Sequence, residues 1–148
     1  MIPTEQAEAK YINPLARFVT IEEVALLLKV DITQIKYIRC WARVVGVRFS
    51  RFVSYADLPP IIAAEAPHTA DIIRWRKRWN KNTHGASQFW LEFYKQKFEQ
   101  ALNVSQLHDW GQIIGVIKFG LSLVTVQKLR HFYSDTKAKL ENVLLMAA

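Results

Sequence analysis

Apolar residues recur at helical spacing over most of this chain, and one short stretch alternates instead. Met1 to Pro14 is polar, holds two prolines and sustains no period, so residues 1–14 read as an N-terminal arm. Thr20 then precedes Ile21-Glu22-Glu23-Val24, which predicts a capping box with Thr20 as N-cap and Glu23 at the third helical position. The helix runs to about Leu28, with Ile21, Val24, Ala25 and Leu28 on its buried face. Asp31 and Gln34 offer a second capping box, and Ile35, Ile38, Trp41, Ala42 and Val45 fall on one side of a second helix. Two short helices across a three-residue turn predict a helix-turn-helix. Gly46 ends the second helix, and Val47 to Tyr55 alternates as a small β-hairpin would, forming a wing. Asp57-Leu58-Pro59-Pro60 closes a unit spanning residues 15–60.

Residues 61–148 read as wholly helical. Thr69 can cap a helix with Ile72, Trp75 and Trp79 on one stripe, the two tryptophans anchoring it to the core, and residues 80–85 form a loop. Ser87 opens a broadly apolar helix through Leu102, and another helix starts near Ser105 and breaks near Gly120. Gly111 and Gly115 have the spacing that lets another backbone approach closely. The last helix, about Ser122 to Met146, carries Leu129, Tyr133, Thr136, Leu140 and Val143 at alternating steps of four and three. That is a short seam for a partner helix, which favours homodimerisation; intramolecular packing explains the same spacing. The expected fold is therefore mainly α: an N-terminal winged helix-turn-helix with a small hairpin, then an all-helical dimerisation region.

Charge sharpens this picture. The 148 residues carry a net charge of +7, but the excess is localised. Residues 32–56 hold Lys36, Arg39, Arg43, Arg48 and Arg51, and residues 72–91 hold Arg74, Arg76, Lys77, Arg78 and Lys81. Neither segment contains an acid, so half of the 20 bases stand apart from all 13 acids. Such concentrated charge suits a polyanion. On the expected second helix Thr33, Lys36, Cys40 and Arg43 form the outer face with Tyr37 and Arg39 on its flanks, where arginine can pair with guanine and lysine can reach a base or a phosphate. Thr33 and Gln34 are candidates for base-edge or phosphate contact at its start, Arg48 and Arg51 for the wing, and Tyr55 for a phosphate hydrogen bond. Arg74, Lys77, Arg78 and Lys81 are candidates for flanking DNA backbone.

Composition narrows the classes further. One cysteine excludes an intramolecular disulfide framework and fits a reducing compartment. Cys40 is expected on the outer face of the second helix, where a small side chain is tolerated. His68, His84, His108 and His131 lie far apart, so neither a metal nor a cofactor is expected. No nucleophile elbow, phosphate-binding glycine loop or dinucleotide fingerprint occurs, so an enzyme is not expected. The N-terminus has no apolar core of a secretory signal, and the longest apolar stretch, Ile113 to Val126, is interrupted by Lys118 and is too short to cross a bilayer. A soluble, cytoplasmic, nucleoid-associated protein is expected.

The run Phe18 to Asp31, with Thr20-Ile21-Glu22-Glu23-Val24-Ala25 at its centre, resembles the opening of MerR-type and excisionase-like winged helix-turn-helix domains. Ile35-Lys36-Tyr37-Ile38-Arg39 resembles their second-helix motif, and Arg48 to Tyr55 with Asp57-Leu58 is similar to their arginine-rich wing. Gly46-Val47-Arg48 stands where that family has Gly-Leu-Leu or Gly-Leu-Ile, and several shorter helical segments replace its long dimerisation helix. The resemblance implies a sequence-specific transcriptional regulator of double-stranded DNA, an effector-independent dimeric repressor on an inverted-repeat operator. Small MerR-like repressors of CRISPR-associated transposons have this general size. Two other functions fit the same residues: an excisionase-like factor that bends DNA for a recombinase, and an interaction module for an acidic protein.

Overall fold

The computed structural model describes residues 13–35, 37–40, 44–47, 51–79 and 86–147. These residues are mainly helical, with one small antiparallel sheet. Pro14–Phe18 forms a 3-10 turn and Ile21–Leu28 forms helix α1. The capping box is as expected: Thr20 Oγ1 accepts from Glu23 N at 3.1 Å, and Glu23 Oε1 accepts from Thr20 N at 3.0 Å. Lys29 ends the helix in the left-handed region at φ 59°.

The second helix of the expected helix-turn-helix is not formed among the described residues. Asp31 caps only a 3-10 turn, Ile32–Gln34, by accepting from Thr33 N at 3.1 Å. Strands β1 (Ile38–Cys40), β2 (Val44–Val47) and β3 (Arg51–Ser54) follow, paired in the order β1-β2-β3. Antiparallel register sets Ile38 against Val47, Cys40 against Val45, and Val45 in turn against Val53. The physical reason is the density of β-branched residues: Ile38, Val45, Val47 and Val53 fit a pleated, half-buried surface better than a helix. Their two-residue phase buries Val45, Val47 and Val53 on one side of the sheet. Of the expected wing only β3 and Val47 are in strand; β1 and the rest of β2 lie where the helix and its Gly46 end were expected.

Helices α2 (Thr69–Arg78), α3 (Gln88–Gln100), α4 (Val104–Ile117) and α5 (Leu123–Ala147) complete the fold. His68 rather than Thr69 is the N-cap of α2, its N–H donating to Asp71 Oδ2 at 2.8 Å. Asn103 caps α4 by accepting from Gln106 N at 2.8 Å.

One aromatic core joins the sheet module to the helices. The Trp75 ring stacks on Phe18 at 5.3 Å and meets Trp90 edge-on at 5.2 Å, and Trp79 meets Trp90 at 5.7 Å. The Trp79 and Trp90 indoles both donate to the Ala56 carbonyl, at 3.0 and 3.2 Å, and Tyr94 Oη donates to the Pro60 carbonyl at 2.8 Å. These bonds hold the end of the sheet module against α2 and α3. Gly120 is required by the same core: a Cβ there would lie 2.5 Å from the Trp79 ring.

Candidate nucleic-acid interface

The sheet has two chemically distinct sides. Its inner side carries Ile38, Cys40, Val45, Val47 and Val53 against the core. On its outer side the register lines up Arg39, Gly46 and Phe52 in one row across the three strands. Gly46 contributes only backbone to the middle of that row, Arg39 is half-buried, and Phe52 is 53% exposed. A guanidinium and an aromatic ring therefore flank a central glycine that is itself buried. Directly before β1, Thr33 and Gln34 are exposed in the 3-10 turn and Tyr37 is 50% exposed.

The structure thus brings part of the expected site together on a sheet. Lys36, Arg43, Arg48 and Lys81 lie outside the described residues. Arg51 is described by its backbone alone, opposite Val47 in the register. Two positions are corrected. Tyr55 is fully buried and shares a hydrogen bond with the Cys40 thiol, so it faces no phosphate; burial raises its phenol above the ordinary value. Cys40 points to the inner side of β1, not outward, and burial raises its thiol as well.

The second basic segment divides along α2. Lys77 is exposed, and Arg78 is half-buried with its guanidinium 5.9 Å from the centre of the Tyr55 ring. Arg74, a backbone-contact candidate, instead donates to buried Asp71 at 3.2 Å. Arg17 donates to both Asp71 oxygens. Arg76 donates to the Phe119 carbonyl at 3.3 Å. Trp75 and Trp79 are buried in the core, as expected of anchors.

The expected dimerisation seam on α5 is largely consumed within the chain. Leu129 is buried, and the Tyr133 ring packs edge-on against Phe98 at 5.6 Å. Gly111 admits that ring, since a Cβ would come within 2.7 Å of it, whereas a Cβ at Gly115 meets nothing within 4 Å. Leu140 packs against the core and Val143 is 64% exposed. The seam's spacing is the same whether the second helix belongs to this chain or to another.

Sequence reasoning missed Phe52. Phe52 and Val53 are adjacent and both apolar, so the alternation alone did not say which faced outward; the Gly46 register decides it. Among the described residues no cluster of His, Cys, Asp and Glu is arranged to hold a metal, and no helix is long and apolar enough to cross a membrane. No protein-family model, no curated protein and no solved structure matches this chain.

Proposed function

We propose that this chain is a double-stranded-DNA-binding regulator, acting as a dimeric repressor without an effector, and that it grips DNA with the basic antiparallel sheet instead of a recognition helix. One observation carries the reading. Residues 32–56, which include all three strands, hold five bases and no acid, and the core claims the inner side of the sheet. Every formal charge this segment can present to a partner is positive. A two-stranded ribbon is narrow enough for the major groove, and a sheet can also lie along the minor groove. Arg39 is the described cation on the outer side and is assigned direct DNA contact, with Thr33, Gln34 and Tyr37 beside it in sequence.

Selection from a randomised duplex library tests this at about physiological ionic strength, where non-specific phosphate binding is weakened. An enriched inverted repeat is the expected result; binding that is uniform over sequences and vanishes with salt rejects the regulator. Arg39→Ala separates two roles. Loss of about 1 to 3 kcal/mol confined to one base position marks a base reader, and a salt slope smaller by about one unit marks a phosphate contact.

Phe52 favours a second reading, a factor that bends DNA. An exposed ring beside an arginine on a sheet matches the chemistry of proteins that wedge an apolar side chain between base steps. Circular-permutation gel shifts would then reveal a bend that Phe52→Ala diminishes while leaving much of the affinity. An unbent complex rejects this second reading.

A further inference from the structure

A strip of uncovered apolar surface lies along the seam between α4 and residues 61–76. Two clefts meet there at Val116, which lines both and is 42% exposed. One cleft, of about 370 Å³, is bounded by α2 and holds Ile73 and Arg76 beside Phe119, which is 72% exposed. The other, of about 400 Å³, is bounded by Ile61, Ile62 and Ile113 and ends at Asp109. Contiguous exposed apolar surface with a polar edge marks an interaction site rather than ordinary solvent-facing helix.

We infer that this strip is the contact surface for a second copy of the same chain, packed about a twofold axis at Val116. The argument is its self-complementarity. Asp109 lies two helical turns before Val116 on α4, about 10 Å away along the axis, and Arg76 lies on the other side of Val116 in the opposite cleft. In an isologous interface each residue meets its counterpart's partner, so a base at one end and an acid at the other become two identical ion pairs. Neither Arg76 nor Asp109 makes a salt bridge within the described chain. The same operation brings each exposed Phe119 to the Ile61–Ile62 cleft of the other copy. An unrelated acidic or basic partner would leave one end of the strip facing a like charge.

This inference deepens the dimeric part of the reading above, but its test uses no DNA, so DNA binding and dimerisation can fail separately. Sedimentation velocity on the full chain over a micromolar range should show a dimer. Val116→Arg places two guanidinium groups at the axis and should weaken association about a hundredfold, with an unchanged far-UV circular-dichroism spectrum because the side chain is already partly in solvent. Asp109→Arg should weaken it as well, by setting like charges against each other, and adding Arg76→Asp to the same chain should restore the dimer. A wild-type chain that stays monomeric overturns the inference. So does a dimer indifferent to Val116→Arg, or a double variant no better associated than Asp109→Arg alone.

Discussion

The N-termini of α1 and α2 use one device with opposite electrostatic outcomes. In each, a carboxylate at the third helical position is 99% buried and accepts a hydrogen bond from the backbone N–H of the N-cap residue: Glu23 from Thr20, Asp71 from His68. Burial pushes both carboxyls up. At Asp71 that is outweighed by Arg17, by the His68 N–H and by Arg74, and the carboxyl ends below its ordinary value of 3.8. At Glu23 nothing comparable arrives. Its Oε2 is buried without a partner, and the neighbouring Lys97 is engaged by Glu22, so the carboxyl rises to about 9. A buried acid is thus anionic or neutral according to what faces its second oxygen, not according to its depth.

The largest expected effect comes from breaking the satisfied site. Asp71→Asn keeps the shape but leaves Arg17 and Arg74 without their counter-charge, and Arg17 Nε is already buried without a partner. The cost should be about 3 kcal/mol, or roughly 6 to 12 °C in Tm for a chain of this size, read from a thermal melt at neutral pH. A loss below about 1 kcal/mol would show that the guanidinium groups find water instead.

Glu23→Gln comes next and acts through pH. Because the folded-state pKa of Glu23 is raised, its contribution is complete below about pH 4.5 and is lost as pH rises towards 9. Asp71, with a lowered pKa, contributes above its unfolded value near 3.8 and loses that contribution as pH falls through its folded value. The two together place the stability maximum near pH 4 to 5. Glutamine preserves the capping box and cannot ionise. Wild-type Tm should fall between pH 5 and pH 8, and Glu23→Gln should remove most of that fall while leaving the acid-side loss intact. Equal slopes in the two proteins would mean that Glu23 is already ionised in the fold.

These two sites also mark how far the sequence could be read. The Thr20–Glu23 box was legible because its partners lie three residues apart, and the helix start after Ser122, whose Oγ accepts from Thr125 N, was legible for the same reason. Arg17 and Asp71 stand 54 residues apart, and no local pattern pairs them. The strands failed for a related reason. Ile35, Ile38, Ala42 and Val45 satisfy helical spacing, while the pairing of β2 with β3 is a tertiary fact that their β-branching only hinted at. The basic character of residues 32–56 was readable from the chain, but which cations share a face depended on the strand register.

Arg74 offers the smallest expected effect and the sharpest separation of structure from binding. Its side chain is 39% exposed and its bond to Asp71 is the second guanidinium contact on that carboxylate, after Arg17. Arg74→Gln should therefore cost only about 0.5 to 1 kcal/mol in a thermal melt. It should also leave the salt dependence of DNA binding unchanged, because the bond to Asp71 holds this guanidinium away from the phosphates. Lys77→Gln, three residues on and exposed, should do the reverse: no loss of stability, and a salt slope smaller by about one unit if α2 lies along the DNA backbone. A fall in the slope for Arg74→Gln would mean that Arg74 leaves Asp71 for a phosphate on binding, with Arg17 alone keeping the carboxylate charged.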